Sequence, residues 1–528
     1  MTQRKLSPQH LQEIRELASR WGKIVARHAF GEAGPGTDVD LDAMEQVATA
    51  AAAGLNEGTL GILLEQQAQL LGTKRPCPGC GRLCPVQRAD RPLTVRGIQL
   101  KQSEPICHCP DCRRDFSPQR PLLRLDGHGH SPAVLQMIVE AAGKLQSFPD
   151  AAYALCLAGV PISARHVERL THEIGREMAQ KRDEKAIQRR RRQLPERVAI
   201  PPQVAAVEVD GGRLRTRAAD CGPGVHQAEN KEDKIACLVS LQSDRHEQDP
   251  QPEPPESFTQ PRRVQRLVRE MKGLPSEHPG EPAEAAAAAE PTPSEKKAPP
   301  VEESPRALVR TCVASMLQAK LFGRLVAAEA QERAFYRATR RAFLGDGLAY
   351  NWTIQKAYFP DFEAIVDFLH VLCYLYLAAW ATGGEQARRW SLYLAWLRAC
   401  WQGRVSEVID ALHVWQDRLG KPADDPELSA FDPRLLVAEA LRYLQNNQQR
   451  MSYPRYRREG LPITSSLVES LVGQFNSRVK ARNKFWKRGE GDGAETILQI
   501  RAAVLSEDDR LSRHFAERPG SPYRRKAA

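Results

Sequence analysis

The sequence predicts a multidomain α/β protein in which helical and cysteine-rich regions precede a mixed-sheet core carrying a helical insertion. Three observations predict it. The 528 residues are enough for two or three separate cores. Short β-branched runs at 204–214 and 234–243 read as strands, set among long stretches whose apolar residues recur at three-to-four spacing. Six of the twelve cysteines fall within 77–112, which marks off a small module of its own.

Composition narrows the class. Hydrophobic residues at 41% and aromatics at 6% suit an ordinary folded chain. The net charge of +11 suits a polyanionic partner, because Lys and Arg displace condensed counterions from phosphates; a solvated basic surface is the alternative. The opening MTQRKLSPQHLQEIREL has no apolar run of signal-peptide length. The most apolar stretch, 364–382, contains Asp367 and His370 and reads as a buried strand running into a helix. The expectation is a cytoplasmic chain with no membrane span.

Residues 1–70 read as helical, from the periodicity of LQEIRELASRWGKIV and LDAMEQVATAAAAGL. Residues 71–120 hold two C-x-x-C knuckles, Cys77-Pro-Gly-Cys80 and Cys109-Pro-Asp-Cys112, around a β-prone segment. Four thiolates in such pairs close a tetrahedral site, so one structural Zn²⁺ in a zinc ribbon is expected. Cys84, Cys107 and His108 lie near enough to replace a member of either pair. So small a module suits scaffolding or contact with DNA, not catalysis.

Residues 121–195 begin with Ser131 as N-cap and Pro132 at the first helical position. Within them, 148–175 suits two short helices joined by a tight turn: Ala151, Leu155 and Ala158 face inward, Gly159 ends the first helix, and Ser163 caps the second. Val167, Leu170 and Ile174 then face the core and Arg165, His166 and Arg169 point outward, as in a helix-turn-helix reading DNA; an ordinary α-hairpin is the alternative. Residues 181–197 form a charged connector.

The core is expected over 196–505, with a helical insertion at 380–450 and a basic tail at 506–528. Its insert, 246–305, is rich in Pro, Glu and Ala and is expected to be largely disordered, with a short helix around 264–271. Beyond 306 the chain reads as mainly helical, interrupted by the strand-like 341–350 and 363–372.

Three acids stand out. Asp210 ends the apolar run VAAVEVD before Gly211-Gly212, and Asp346 ends AFLGD before Gly347. An isolated Asp-Gly is more often a turn. The third piece, residues 462–486, changes that balance: Thr464 to Ser466 suit a helix cap, and Leu467, Leu471, Phe475 and Val479 make an apolar stripe. Glu469 lies off that stripe, and Arg478, Lys480, Arg482 and Lys484 make the distal end basic. Phe485 and Trp486 offer a surface for stacking on DNA, or an anchor to the core. Three carboxylates from distant positions suffice for two Mg²⁺ (or Mn²⁺), since Mg²⁺ keeps several waters.

These pieces together resemble the DDE insertion-sequence transposases, whose catalytic core is RNase H-like, in the group with an N-terminal zinc ribbon and helix-turn-helix. The likeness runs from about residue 70 to 505 and rests on VDGG at 209–212, GDG at 345–347, the step from Asp367 to His370, and GLPITSSLVES at 460–470. It implies that Asp210, Asp346 and Glu469 are catalytic metal ligands, with Asp210 bridging two ions. It implies that Asp367 and His370 are an accessory pair; a purely structural, hydrogen-bonded role is the alternative. It also implies DNA cleavage at element ends, strand transfer, double-stranded DNA as partner, association with the nucleoid, and a homo-oligomer on DNA. Thr464-Ser465-Ser466-Leu467 departs from the Gly-Ser-Gly often found before the third acid. A DNA-binding regulator without cutting activity, or a nuclease without strand transfer, would share many of these features.

Overall fold

The computed structural model describes residues 6–217, 229–272, 305–422, 428–480, 486–487 and 493–523, without the side chains of 466–470 and 487. It is mixed α/β and divides into two compact units, Met1–Leu170 with Leu511–Ala528, and Thr171–Arg510.

The first unit opens with α1 (Pro8–Phe30) and α2 (Leu41–Gln69), capped by Ser7 and Asp40, whose side chains accept from His10 N and Ala43 N. By length and composition α2 could cross a membrane, with a mean hydropathy of 1.3 in its most apolar window. A four-stranded antiparallel sheet follows: β1 (Lys74–Pro76), β2 (Leu83–Val95), β3 (Ile98–Cys109) and β4 (Arg114–Phe116). Then come α3 (Arg120–Leu123), α4 (Pro132–Lys144), α5 (Phe148–Leu157) and α6 (Ala164–Arg190). Ser131 caps α4 through Val134 N at 3.2 Å, with Pro132 leading the helix.

The helix pair at 148–175 differs from expectation in two respects. Ala158 is exposed, because α5 ends at Leu157 and Gly159 takes a φ of +75°. And α6 runs on through the charged segment to Arg190, because no Pro or Gly breaker interrupts residues 176–190.

The second unit is built on β5 (Val204–Arg217), β6 (Glu229–Gln242), α7 (Pro261–Lys272), β7 (Arg306–Ser315), α8 (Ala319–Glu332), β8 (Arg340–Gly345), α9 (Ala349–Tyr358) and β9 (Glu363–Val366). Five strands align in the order β7-β6-β5-β8-β9. β6 is antiparallel to both neighbours, and β8 and β9 run parallel to β5. Residues 204–209 are all buried, which explains why this central strand reads as a nearly unbroken apolar run. A helical block follows: α10 (Phe368–Ala381), α11 (Gln386–Trp401), α12 (Val405–Leu419), α13 (Pro433–Asn447) and α14 (Tyr453–Arg458). The chain then returns to the sheet with α15 (Ser466–Val479), which packs on β5 and β6, β10 (Trp486–Lys487), which pairs with β5, and α16 (Gly493–Leu505).

One expectation of disorder is corrected in part. Residues 246–272 are ordered. Gln251 O accepts from Trp401 Nε1 at 2.8 Å, Phe258 O from Tyr393 OH at 2.9 Å, Asp249 pairs with Arg457, and the Phe258 ring stacks on Phe368 at 5.8 Å. The apolar surface that a Pro-rich segment lacks is supplied by α10 and α11. The rest of that insert, 273–304, lies outside the described residues. The tail forms α17 (Arg510–Glu517), which buries Leu511 and Phe515, four residues apart on one face, in the first unit.

Candidate functional site

Register brings the acids of the core together. Val209 pairs with Gly345 across β5 and β8, and Gly345 with Val366 across β8 and β9. Asp210, Asp346 and Asp367 therefore follow one another across three adjacent parallel strands. Asp346 and Asp367 lie just past the ends of β8 and β9, while Asp210 lies within β5 just past its pairing with β8. The expectation that the strand ends at Asp210 is corrected, because β5 runs on to Arg217 against β6.

Each acid is held differently. Asp210 is half-buried, and its Oδ1 accepts from Gly211 N at 2.7 Å. Burial raises its pKa to about 6, aided by the negative charges of Asp346 and Asp367 and opposed by the Gly211 hydrogen bond and His370. Asp346 Oδ1 accepts from Leu348 N at 2.9 Å and from Asn351 Nδ2 at 2.7 Å, while its backbone carbonyl accepts from Tyr443 OH at 2.9 Å. Burial raises this carboxyl as well. Two carboxylates whose burial resists ionisation, each with one oxygen fixed by the backbone, suit a bound cation that neutralises them together.

Asp367 is fully buried and its oxygens point elsewhere. Oδ1 accepts from Ser465 N at 2.8 Å and Leu369 N at 3.3 Å; Oδ2 accepts from His370 N at 3.3 Å and meets His370 Nδ1 at 2.7 Å. It caps α10, orients His370 and fixes the residue before α15. Ser465 is the N-cap of α15 but makes no side-chain cap bond; its backbone N–H goes to Asp367 instead. Burial pulls the His370 imidazole toward neutrality, yet Asp367, Asp346 and Asp210 more than offset this, so its pKa is raised. Asp367→Asn would set an amide against these donors, with an expected loss on the order of 3 kcal/mol. Chemical denaturation measures it; a loss below about 1 kcal/mol would contradict this anchoring role.

Glu469 belongs to the first turn of α15, whose start Asp367 anchors; its side chain lies outside the described residues. Further along the helix, Leu471, Phe475 and Val479 are buried, as the stripe requires.

No family model matches this chain, and no curated protein matches its sequence.

The expected DNA contacts divide. Arg165 and Arg169 are exposed on α6, while His166 is half-buried with its ring 5.2 Å from that of His130. Arg478 is corrected: it is 2% exposed, with its guanidinium 5.9 Å over the Trp486 ring, so it does not reach a DNA surface. Trp486 is likewise an anchor, donating from Nε1 to Val479 O at 2.8 Å. Lys480 Nζ lies over Gly212, where a Cβ would meet it at 2.5 Å, and next to the buried Asp233. Arg482, Lys484 and Phe485 lie outside the described residues. Asn351 and Tyr443, which brace Asp346, escaped the sequence reading; Asn351 had a local signal, falling in the first turn of the helix after GDG.

In the ribbon the two knuckles meet. The sulfurs of Cys77, Cys80, Cys109 and Cys112 all lie within 4.8 Å of one another, with 3.8 Å between Cys77 and Cys112 and 3.5 Å between Cys80 and Cys109. Tetrahedral bonds of about 2.3 Å put sulfurs about 3.8 Å apart, so the group fits Zn²⁺. Gly79 N points at Cys77 Sγ, and Gly81 turns the knuckle with a φ of +79°. The backbone N–H of Cys112 pulls Cys109 down to about 6, whereas hydrogen bonds with Cys80 and Cys77 push Cys112 up to about 12. Four crowded thiols thus compete for negative charge, a competition that a dication removes. Cys84 and Cys107 sit instead in the module's small core with Phe116, and His108 is exposed and paired with Asp115 at 2.7 Å.

The Asp210 shift has a consequence for stability. Its folded-state pKa lies above the ordinary 3.8, so protonated Asp210 contributes stability that is complete below about pH 4 and lost as pH rises through about 6. Without divalent metal, Asp210→Asn is expected to exceed the wild type in stability at pH 8 by on the order of 2–3 kcal/mol, the gap closing toward pH 4. Denaturant unfolding at both pH values measures it; a gap independent of pH would contradict the assignment.

Proposed function

We propose that the chain is a DDE-type insertion-sequence transposase, an RNase H-like enzyme that cuts DNA and joins the freed end to a target. The observation that carries this reading is the row of carboxylates: Asp210 and Asp346 directly follow Val209 and Gly345, the last residues paired between the parallel strands β5 and β8. A five-stranded sheet ordered 3-2-1-4-5 with its second strand reversed is what an RNase H-like core would have, and this supports the reading further.

In this proposal Asp210, Asp346 and Glu469 hold two Mg²⁺ ions. When bound, the pair supplies activation of an attacking oxygen and stabilisation of a leaving one. The protein's own contribution is positioning. Gly211 N fixes one oxygen of Asp210, and Leu348 N and Asn351 Nδ2 fix one of Asp346, leaving the second oxygen of each without a hydrogen-bond partner among the described residues. His370, whose affinity for a proton Asp367 raises, lies beside them. The zinc ribbon and the exposed arginines of α6 engage double-stranded DNA, and pairing of two DNA ends calls for a homo-oligomer.

Incubating the full chain and Mg²⁺ with DNA that carries the gene's own flanking sequences tests the reading. Cuts at the element boundary support it. Binding without cutting, in Mg²⁺ and Mn²⁺ alike, rejects it in favour of a DNA-binding regulator.

A further inference from the structure

A cavity of about 530 Å³ opens beside Asp346, between the start of α9 and the end of α13. The turn after Asp346 forms part of its wall. Gly347 has a φ of +98°, and a Cβ there would run into Tyr443 and Asn447; Tyr443, which lines the cavity, also donates to the Asp346 backbone carbonyl at 2.9 Å.

Its charge is one-sided. Lys356, Arg442 and Arg450 line it against a single acid, Glu439, and none of the three cations has a carboxylate partner among the described residues. Arg450 is half-buried. Its guanidinium lies 4.4 Å over the Trp352 ring, and one N–H donates to Asn446 O at 3.1 Å. Trp352 is itself fixed, donating to Asn447 Oδ1 at 3.2 Å. A cation withdrawn from water without a counter-charge costs stability unless an anion arrives. A guanidinium stacked on an indole also keeps its other face free for a planar group.

We infer that this cavity takes an unpaired nucleotide of the DNA strand that reaches Asp346, with its phosphate on Arg450, Arg442 and Lys356 and its base against the Arg450 plane. The inference rests on the transposase reading and adds to it a strand state and a location. The volume falls within the roughly 300–1,000 Å³ of pockets that enclose small ligands, which admits a nucleotide and excludes a duplex. Fixed cations beside a planar stacking surface are what single strands bind.

The test uses the full chain with Ca²⁺ replacing Mg²⁺, and three probes of one core sequence: a blunt duplex, a duplex with a three-nucleotide 3′ extension, and one with a 5′ extension. One of the extended duplexes is expected to bind about tenfold tighter than the blunt one, and which of them does so identifies the strand. In Arg442→Glu, a change at an exposed position, and in Arg450→Ala, this preference should fall below about twofold, and the salt dependence for the extended duplex should weaken by about one phosphate contact. Equal binding of all three probes by the wild type overturns the inference, as does a preference that survives both substitutions. Cleavage in Mg²⁺ is read separately. Cutting without any preference rejects the cavity alone, whereas preference without cutting supports the cavity and rejects the enzyme.

Discussion

Cys109→Ser is expected to leave the protein with less than about a tenth of the wild type's zinc and to open the knuckle ends, residues 74–86 and 105–116, to trypsin. The expectation follows from how little else holds those ends together. The core at the knuckle end is Cys77, Cys84, Cys107, Cys109 and Phe116, so four of its five members are cysteines and two of those belong to the metal cluster, whereas the far end of β2 and β3 has a separate core of Leu93, Leu100 and Leu125. Structural zinc contributes about 10–16 kcal/mol in small domains of this kind, far more than five small side chains can bury. Loss of one thiolate from a closed tetrahedron should therefore unfold the knuckle end of the ribbon. Metal analysis and limited proteolysis measure both effects. Full zinc content in the variant would show that Cys84, Cys107 or His108 completes the site instead.

The second large effect concerns Asp210. Asp210→Asn preserves shape and removes the charge, so DNA binding should persist while Mg²⁺-dependent cutting falls by about a thousandfold, equivalent to about 4 kcal/mol of transition-state stabilisation. The same substitution is the one expected to stabilise the metal-free protein at pH 8. Lost cutting alongside gained stability separates a site held at the expense of the fold from a variant that merely misfolds. Single-turnover cleavage rates supply the measurement, and a drop smaller than about tenfold would contradict a ligand role for Asp210.

The acids were legible because their signals are local. VAAVEVD is apolar on both faces, which identifies a central strand, and its Asp-Gly coincides with the point where pairing with β8 stops, although the strand itself runs on to Arg217. Elements whose partners lie far along the chain were not legible. The strand Arg306–Ser315 was read as helical, since it lies at the edge of the sheet and carries Arg306 and Arg310 among its apolar residues. Residues 246–260 looked unable to fold because the rings that hold them, Tyr393 and Trp401, come over 130 positions later. Arg478 looked like part of a DNA-facing end, and Trp486 like a stacking surface or an anchor to the core. Trp486 pairs with Thr216 of β5, and Arg478 and Trp486 are both buried. The ribbon was easier, because two C-x-x-C pairs name their own partners. Alternation along β3 turns His108 to the face opposite Cys107 and Cys109, and Cys107 is set apart from the ligand Cys109 by its place further along the sheet, opposite Phe116.

The central claim is that three carboxylates carry metal-dependent DNA cutting, and Glu469 is the one that rests on sequence and backbone alone. The most direct test compares wild type and Glu469→Gln on DNA carrying the gene's flanking sequences, with Mg²⁺ present. The account predicts that both bind and that only the wild type cuts, the variant falling by orders of magnitude. Equal cutting by both proteins would contradict it.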